Sequence, residues 1–467
     1  MFMIANIRCA VTGKGETDGR RDPTNSRMAV SGTARVVVLL VYSLHNAWNC
    51  WVFLNFANYA PVERLLRVGE PEVGFINTAG FLGILITLPL VTICRRRRLL
   101  LFLAGLLNTA AAVIRYFAAV QGNYLVVVAS NLFSGAAFGV LGAWPPLLAA
   151  AWPVKRRTVV TAVASLSNYV GGAVGGFCIP LVAADSAALL RLLWWQVWAA
   201  TVLTALMVSW LWIPPTHPQL QASPPSITLQ LLELPPQSGQ LALWEELKLC
   251  ASQRSIMIFG LLVGLSVQMQ GCANLILGGV GFSPLAAGVG NSVYQLSAAL
   301  VGMVVASQVQ QAQQLQDTLL WLHRGILLSS TLFVTMCFLV KQYGTFYGSL
   351  PLMLATMAAM GSTLMGALPF CLEKVVAEVA PASDNVASGL LYTVAMLITS
   401  GLTQASACVS APVAVILFYA GVLSELALFN ISTRTADRAL MKLPDEHLLH
   451  AGLLEPEDAA PLQGVLK

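Results

Sequence analysis

Tryptophan and asparagine recur at helical spacing early in the chain: Trp51, Asn55 and Asn58 follow Trp48 by three, seven and ten residues. At 3.6 residues per turn the four share one helix face, with His45 close to it. An aromatic ring face beside an orienting amide suits a cationic or flat aromatic solute. Helix packing with an interfacial aromatic is the alternative. Ser266, Gln270 and Asn274 form a second stripe at four-residue intervals, with Gln268 on another face. Hydrogen bonding between helices is its alternative role. Between them, Ser165, Asn168 and Tyr169 precede Gly171, Gly172, Gly175 and Gly176. The glycines read as a surface for close helix approach, whereas a polar group in lipid needs a partner or a wet cavity. The candidate binding residues are therefore Trp48, Trp51, Asn55, Asn168, Tyr169, Gln270 and Asn274.

Covalent chemistry has no comparable set. No nucleophile stands with a recognisable base, and no histidine or acidic cluster suits a metal, so neither an enzyme nor a cofactor is expected. The nine cysteines are scattered without a C-x-x-C pair, which argues against a disulfide framework or a zinc site. His45 and His323 are the histidines in or near apolar runs, and Asp185, Glu373 and Glu378 lie at the ends of such runs. A carboxylate proton relay at mid-membrane is not indicated. Arg115 falls near the outer end of an apolar run, where its stem can reach the headgroups or make a structural pair.

The elements that carry these residues follow from composition. Apolar residues make up 57% of the chain and charged residues 10%, too few charges for a surface in water, so the expected solvent is the lipid bilayer. Apolar runs long enough to cross the hydrocarbon core recur near 36–58, 71–93, 99–119, 124–149, 158–184, 190–213, 254–280, 285–307, 318–340, 347–372, 385–408 and 410–432, here spans 1 to 12. Lipid leaves unpaired backbone groups no partner, so each must be a helix. With both termini inside, most of the 26 Lys and Arg residues fall on the cytoplasmic side, in agreement with the positive-inside rule. The sequon at Asn430 then also faces the cytoplasm and stays unmodified. A formal charge of +5 gives no case for nucleic acid.

Prolines 214, 215, 218, 224, 225, 235 and 236 interrupt a polar stretch between spans 6 and 7. The expected organisation is a disordered cytoplasmic tail (1–35), a six-helix bundle (36–213), a cytoplasmic linker (214–253), a second six-helix bundle (254–432) and a cytoplasmic tail (433–467). That is the all-α, polytopic layout of the major facilitator fold, two six-helix halves around a site near the midplane.

Several segments carry a closer likeness. They are Tyr42-Ser43-Leu44-His45-Asn46-Ala47; Trp152-Pro153-Val154-Lys155-Arg156-Arg157 with Thr161-Ala162; Asn168-Tyr169-Val170-Gly171-Gly172-Ala173; and Ile213-Pro214-Pro215. Further on come Asn274-Leu275-Ile276-Leu277, Pro369-Phe370-Cys371-Leu372-Glu373 with Pro381, and Ser388-Gly389-Leu390-Leu391. Together they resemble the solute-carrier family of feline leukaemia virus subgroup C receptor-related and disrupted-in-renal-carcinoma transporters. The resemblance implies transport of an amine-like or vitamin-like solute such as choline or pyridoxine. It also implies a substrate-contacting tryptophan in span 1, whose ungapped position is Cys50 beside Trp51, and a contact at Tyr169, where the receptors carry glutamine.

The chain departs from the pattern at Cys94, which takes the acidic position before Arg95 and Arg96, and in the Gln308 to Gln314 loop, which lacks the expected acid. Val267 or Gln268, and Met396, stand where the receptors' other choline contacts fall, so that site is not reproduced. Gating is expected from Arg95, Arg96, Arg156, Arg157 and Glu373.

The sequence thus predicts a monomeric alternating-access carrier whose partners are a small-molecule substrate and the bilayer. Haem or porphyrin transport, or a transport-inactive receptor or scaffold, are the rival readings. Asp445-Glu446-His447-Leu448-Leu449 resembles a dileucine sorting signal, so the plasma membrane and the endosomal or lysosomal membrane are both expected locations.

Overall fold

A helix closes its own backbone hydrogen bonds, and every long apolar run of this chain takes that solution. The computed structural model describes residues 32–53, 59–93, 97–150, 152–182, 185–212, 243–309, 312–379 and 382–440. Among them are 12 helices long and apolar enough to cross a membrane and no strand. They are Arg35–Phe53, Glu70–Leu88, Leu99–Gln121, Tyr124–Ala150, Arg156–Val182, Ser186–Ser209, Arg254–Val280, Pro284–Gln308, Gln313–Tyr343, Ser349–Glu378, Val386–Cys408 and Ala411–Ser432, spans 1 to 12 in order. The chain is an all-α, multi-pass integral membrane protein.

The described residues form two compact units, 1–422 and 423–467, and the described part of the second is the end of the helix Ala411–Leu440. That helix continues past the expected start of the C-terminal tail at 433. Most of the expected linker, including its prolines, lies outside the described residues. Its last part forms the helix Leu243–Ser252, whose buried Glu246 accepts a hydrogen bond of 2.8 Å from Ser383 at the start of span 11. Burial and the neighbouring Glu246 push the Cys250 thiol on this helix up to about 11.

Small residues set how closely the spans approach. Spans 1 and 5 meet at Gly171, where an added Cβ would sit 1.8 Å from the Ala47 carbonyl oxygen. Spans 5 and 8 meet at Gly176 and Gly288, where a Cβ on Gly288 would lie 2.7 Å from the Gly176 carbonyl oxygen. Span 2 meets span 11 in the same way, Gly74 against Ala407. Gly171→Val is therefore expected to abolish monodisperse folded protein in detergent, since backbone on both sides leaves nothing flexible to yield. Size-exclusion chromatography of a fluorescent fusion checks this, and a wild-type profile would contradict the packing.

Span 10 is not one continuous α-helix. Ser349–Met360 runs into a π-helical turn, Gly361–Met365, and restarts as Leu368–Glu378 with Pro369 in its first turn. The wider turn lets Gly361 press on span 8, its Cβ position 1.8 Å from the Tyr294 carbonyl oxygen. Hydropathy alone does not reveal such a break, because the residues remain apolar through it.

Arg115, placed within span 3 by the sequence, is fully buried. Its guanidinium donates to Ser130, to Asn131 and to the Val52 carbonyl. Extension toward the headgroups does not occur, because spans 1 and 4 supply inward acceptors that satisfy the fork.

Candidate functional site

Polar side chains from span 1 and span 5 meet within the first half. Asn46 donates to the Ala164 carbonyl at 3.0 Å and to Ser167 at 3.2 Å. Asn168 in turn donates to the Asn46 amide oxygen at 3.3 Å and to its main-chain oxygen at 3.5 Å. In the second half, Gln270 donates to Gln295 at 2.7 Å and across to the Cys50 sulfur of span 1 at 3.1 Å. Gln295 fits there because span 5 carries glycine opposite it: a Cβ on Gly172 would lie 1.7 Å from the Gln295 Oε1.

Between these clusters lies a narrow cavity of about 10 Å³, walled by spans 1, 4 and 5 on one side and spans 7, 10 and 11 on the other. Asn46, Asn168, Tyr169 and Gln270 line it together with Phe138, Tyr392 and Leu368. Phe138 and Tyr392 meet edge to face, with centroids 6.4 Å apart and planes at 82°. No Asp, Glu, Lys, Arg or His lines the cavity among the described residues. The lining offers ring faces and neutral amides, a combination that receives a cation through π-electrons and carbonyl oxygens without a fixed counter-ion.

The Tyr169 hydroxyl is buried at this wall with no hydrogen-bond partner among the described residues. Removing it costs the fold nothing, so Tyr169→Phe is expected to keep the wild-type melting temperature while weakening solute binding about 2- to 10-fold, one neutral hydrogen bond. Melting curves and uptake of the same preparation check this, and unchanged binding would remove Tyr169 from the contact set.

Both ends of the cavity are bridged between the halves. At the end bearing Arg156 and Arg157, Thr161 of span 5 donates to the Glu373 carboxylate of span 10. Ser388 of span 11 donates at 3.2 Å to the Ala143 carbonyl of span 4. At the opposite end Thr78 of span 2 donates to Gln404 of span 11 at 3.1 Å. These three bridges are hydroxyl groups on carboxylate, carbonyl and amide.

Of the residues singled out by the sequence, Asn168, Tyr169 and Gln270 are brought together at the cavity wall. Trp48 and Trp51 pack against each other with centroids 5.3 Å apart and planes tilted at 59°, and Trp51 packs beside Gly175 and an apolar cluster of the first half. Neither ring, nor the half-buried Asn274, is part of the wall. Asn55, Arg95 and Arg96 lie outside the described residues. Arg157 is exposed and donates to the Trp152 carbonyl at 3.4 Å, Arg156 is half-buried, and Glu373 holds the Thr161 contact.

The sequence reading overlooked Phe138, Tyr392, Asn291 and Gln295. Asn291 and Gln295 carried a usable signal, a four-residue polar interval in span 8 like that of span 7.

Twelve spanning helices in two six-helix halves, with a neutral polar cavity where the halves meet, define the major facilitator fold. The human organic anion transporter MFSD10 (TETRAN) has this fold too: its crystal structure is similar with a TM-score of 0.58 and 16% sequence identity, over 85% of this chain and 99% of that one. No family model and no curated protein sequence matches the chain.

Proposed function

We propose that this chain carries a small organic solute across a membrane by alternating access, and that the solute is amine-like or vitamin-like, such as choline or pyridoxine. The observation that carries the reading is the cavity between the halves, with aromatic faces and amide oxygens and no formal charge. A solute seated there touches Asn168 and Tyr169 from one half and Gln270 and Tyr392 from the other, so its binding depends on how the halves stand. Rocking of 36–213 against 254–432 then exposes the site to each side in turn. Thr161 with Glu373 acts as the latch at the cytoplasmic end. The segment likeness to the receptor-related and renal-carcinoma carriers supports the same solute class.

MFSD10 is described as an organic anion transporter. An anion in this cavity would meet no Lys, Arg or His among the lining residues, so that cargo is not carried over. An untargeted metabolite comparison of cells with and without the protein tests the proposal. A consistent change in one amine-like or vitamin-like compound, reversed by re-expression, is the expected result. Profiles differing in no small solute would overturn it.

A further inference from the structure

The amides of spans 7 and 8 form a chain whose direction is set by one main-chain atom. Asn291 reaches the Gln270 carbonyl oxygen at 3.1 Å, and a carbonyl can only accept, so Asn291 must present its NH2 group there. Its Oδ1 is then the atom left for Gln295, 3.1 Å away, which must donate with Nε2. Gln295 keeps Oε1 and accepts from Gln270 Nε2 at 2.7 Å. The second direction of that nitrogen is taken by the Cys50 sulfur at 3.1 Å. Gln295 and Asn291 are completely buried, so water does not offer either amide an alternative partner. Only the side-chain Oε1 of Gln270 remains for the cavity that this side chain lines. The first half repeats the logic, because the Asn46 main-chain oxygen accepts from the Asn168 Nδ2 and so fixes which end of that amide is the donor.

We propose that Gln295 is a specificity-determining positioning residue: by locking the Gln270 amide with its oxygen toward the cavity, it makes the site select solutes that donate an O–H or N–H there and reject counterparts blocked by methylation. The inference rests on the transport reading above and narrows its substrate class. A residue that never touches the solute thereby sets which end of Gln270 the solute meets. Without the Gln295 acceptor the amide can invert and present NH2, and the preference for donors is lost.

The test uses the full chain in lipid nanodiscs and two matched pairs of probes, choline with its O-methyl ether and pyridoxine with its fully O-methylated form. In the wild type, the donor-bearing member of at least one pair is expected to bind about tenfold tighter or more. Gln295→Met and Asn291→Leu, which break the chain at different links, bring that ratio close to one. Gln295→Glu, whose neutral acid supplies the same acceptor and one donor, restores it. A lost fold would lower binding of both members alike and would not move the ratio toward one.

Binding of a pair by the wild type without donor preference, or a full preference in Gln295→Met, overturns the positioning role and leaves transport standing. Binding of no probe overturns both readings for this solute class. Should both chain-breaking variants fail to fold, the wild-type ratio alone decides.

Discussion

Replacing Gln270 with leucine is expected to lower uptake of the transported solute about 5- to 150-fold at low concentration, as expected when a buried donor of the solute is left unpaired. Gln270 is where the chamber wall and the buried amide chain meet, so leucine removes the oxygen offered to the solute and orphans the Gln295 acceptor. The second effect costs the fold about 1–3 kcal/mol, small enough for the protein to reach the membrane. Uptake normalised to surface protein separates the two. Equal uptake by wild type and variant would remove Gln270 from the path.

The second large effect concerns the latch. Glu373→Ala deletes the acceptor of the Thr161 hydroxyl, a bridge between spans 5 and 10 at the end expected to face the cytoplasm. A hydrogen bond to a carboxylate is worth about 1.5–3 kcal/mol, so the balance between closed and open at that end shifts about 10- to 150-fold. Cys371 lies two residues away and is completely buried in the closed arrangement. Its alkylation by a membrane-permeant maleimide, followed by peptide mass spectrometry, should accelerate by a comparable factor, while solute uptake falls because the alternate state is drained. Unchanged labelling would show that the contact does not hold the end closed. Glu373→Gln keeps an acceptor and should lie between the two.

Particular residues show why the framework was easy to read and the site was harder. Span count follows from length and hydropathy, which lipid imposes on each helix separately, and the observed start of span 6 differs from the expected one by a few residues at Ser186. Asn168, Tyr169 and Gln270 were found because an amide or phenol inside an apolar run declares itself. Phe138 and Tyr392 do not, since an aromatic in a membrane helix looks the same whether it faces lipid, a neighbour or a cavity.

Trp48 and Trp51 show the converse. Their spacing correctly puts them on one helix face, but spacing alone does not say which neighbour that face meets, and here the Trp51 ring lies beside Gly175. The break in span 10 also stayed hidden, because a π-turn changes hydrogen-bond pattern without changing hydropathy. For Arg115 the sequence left headgroup contact and a structural pair both open, and three acceptors on spans 1 and 4 decided its direction.

The most direct test of the carrier reading is uptake of labelled choline and pyridoxine by liposomes containing only the purified full chain. Saturable uptake of at least one, lost in Gln270→Leu and absent from protein-free vesicles, is the predicted result. Folded, correctly inserted protein that moves neither compound above the empty-vesicle rate would contradict it.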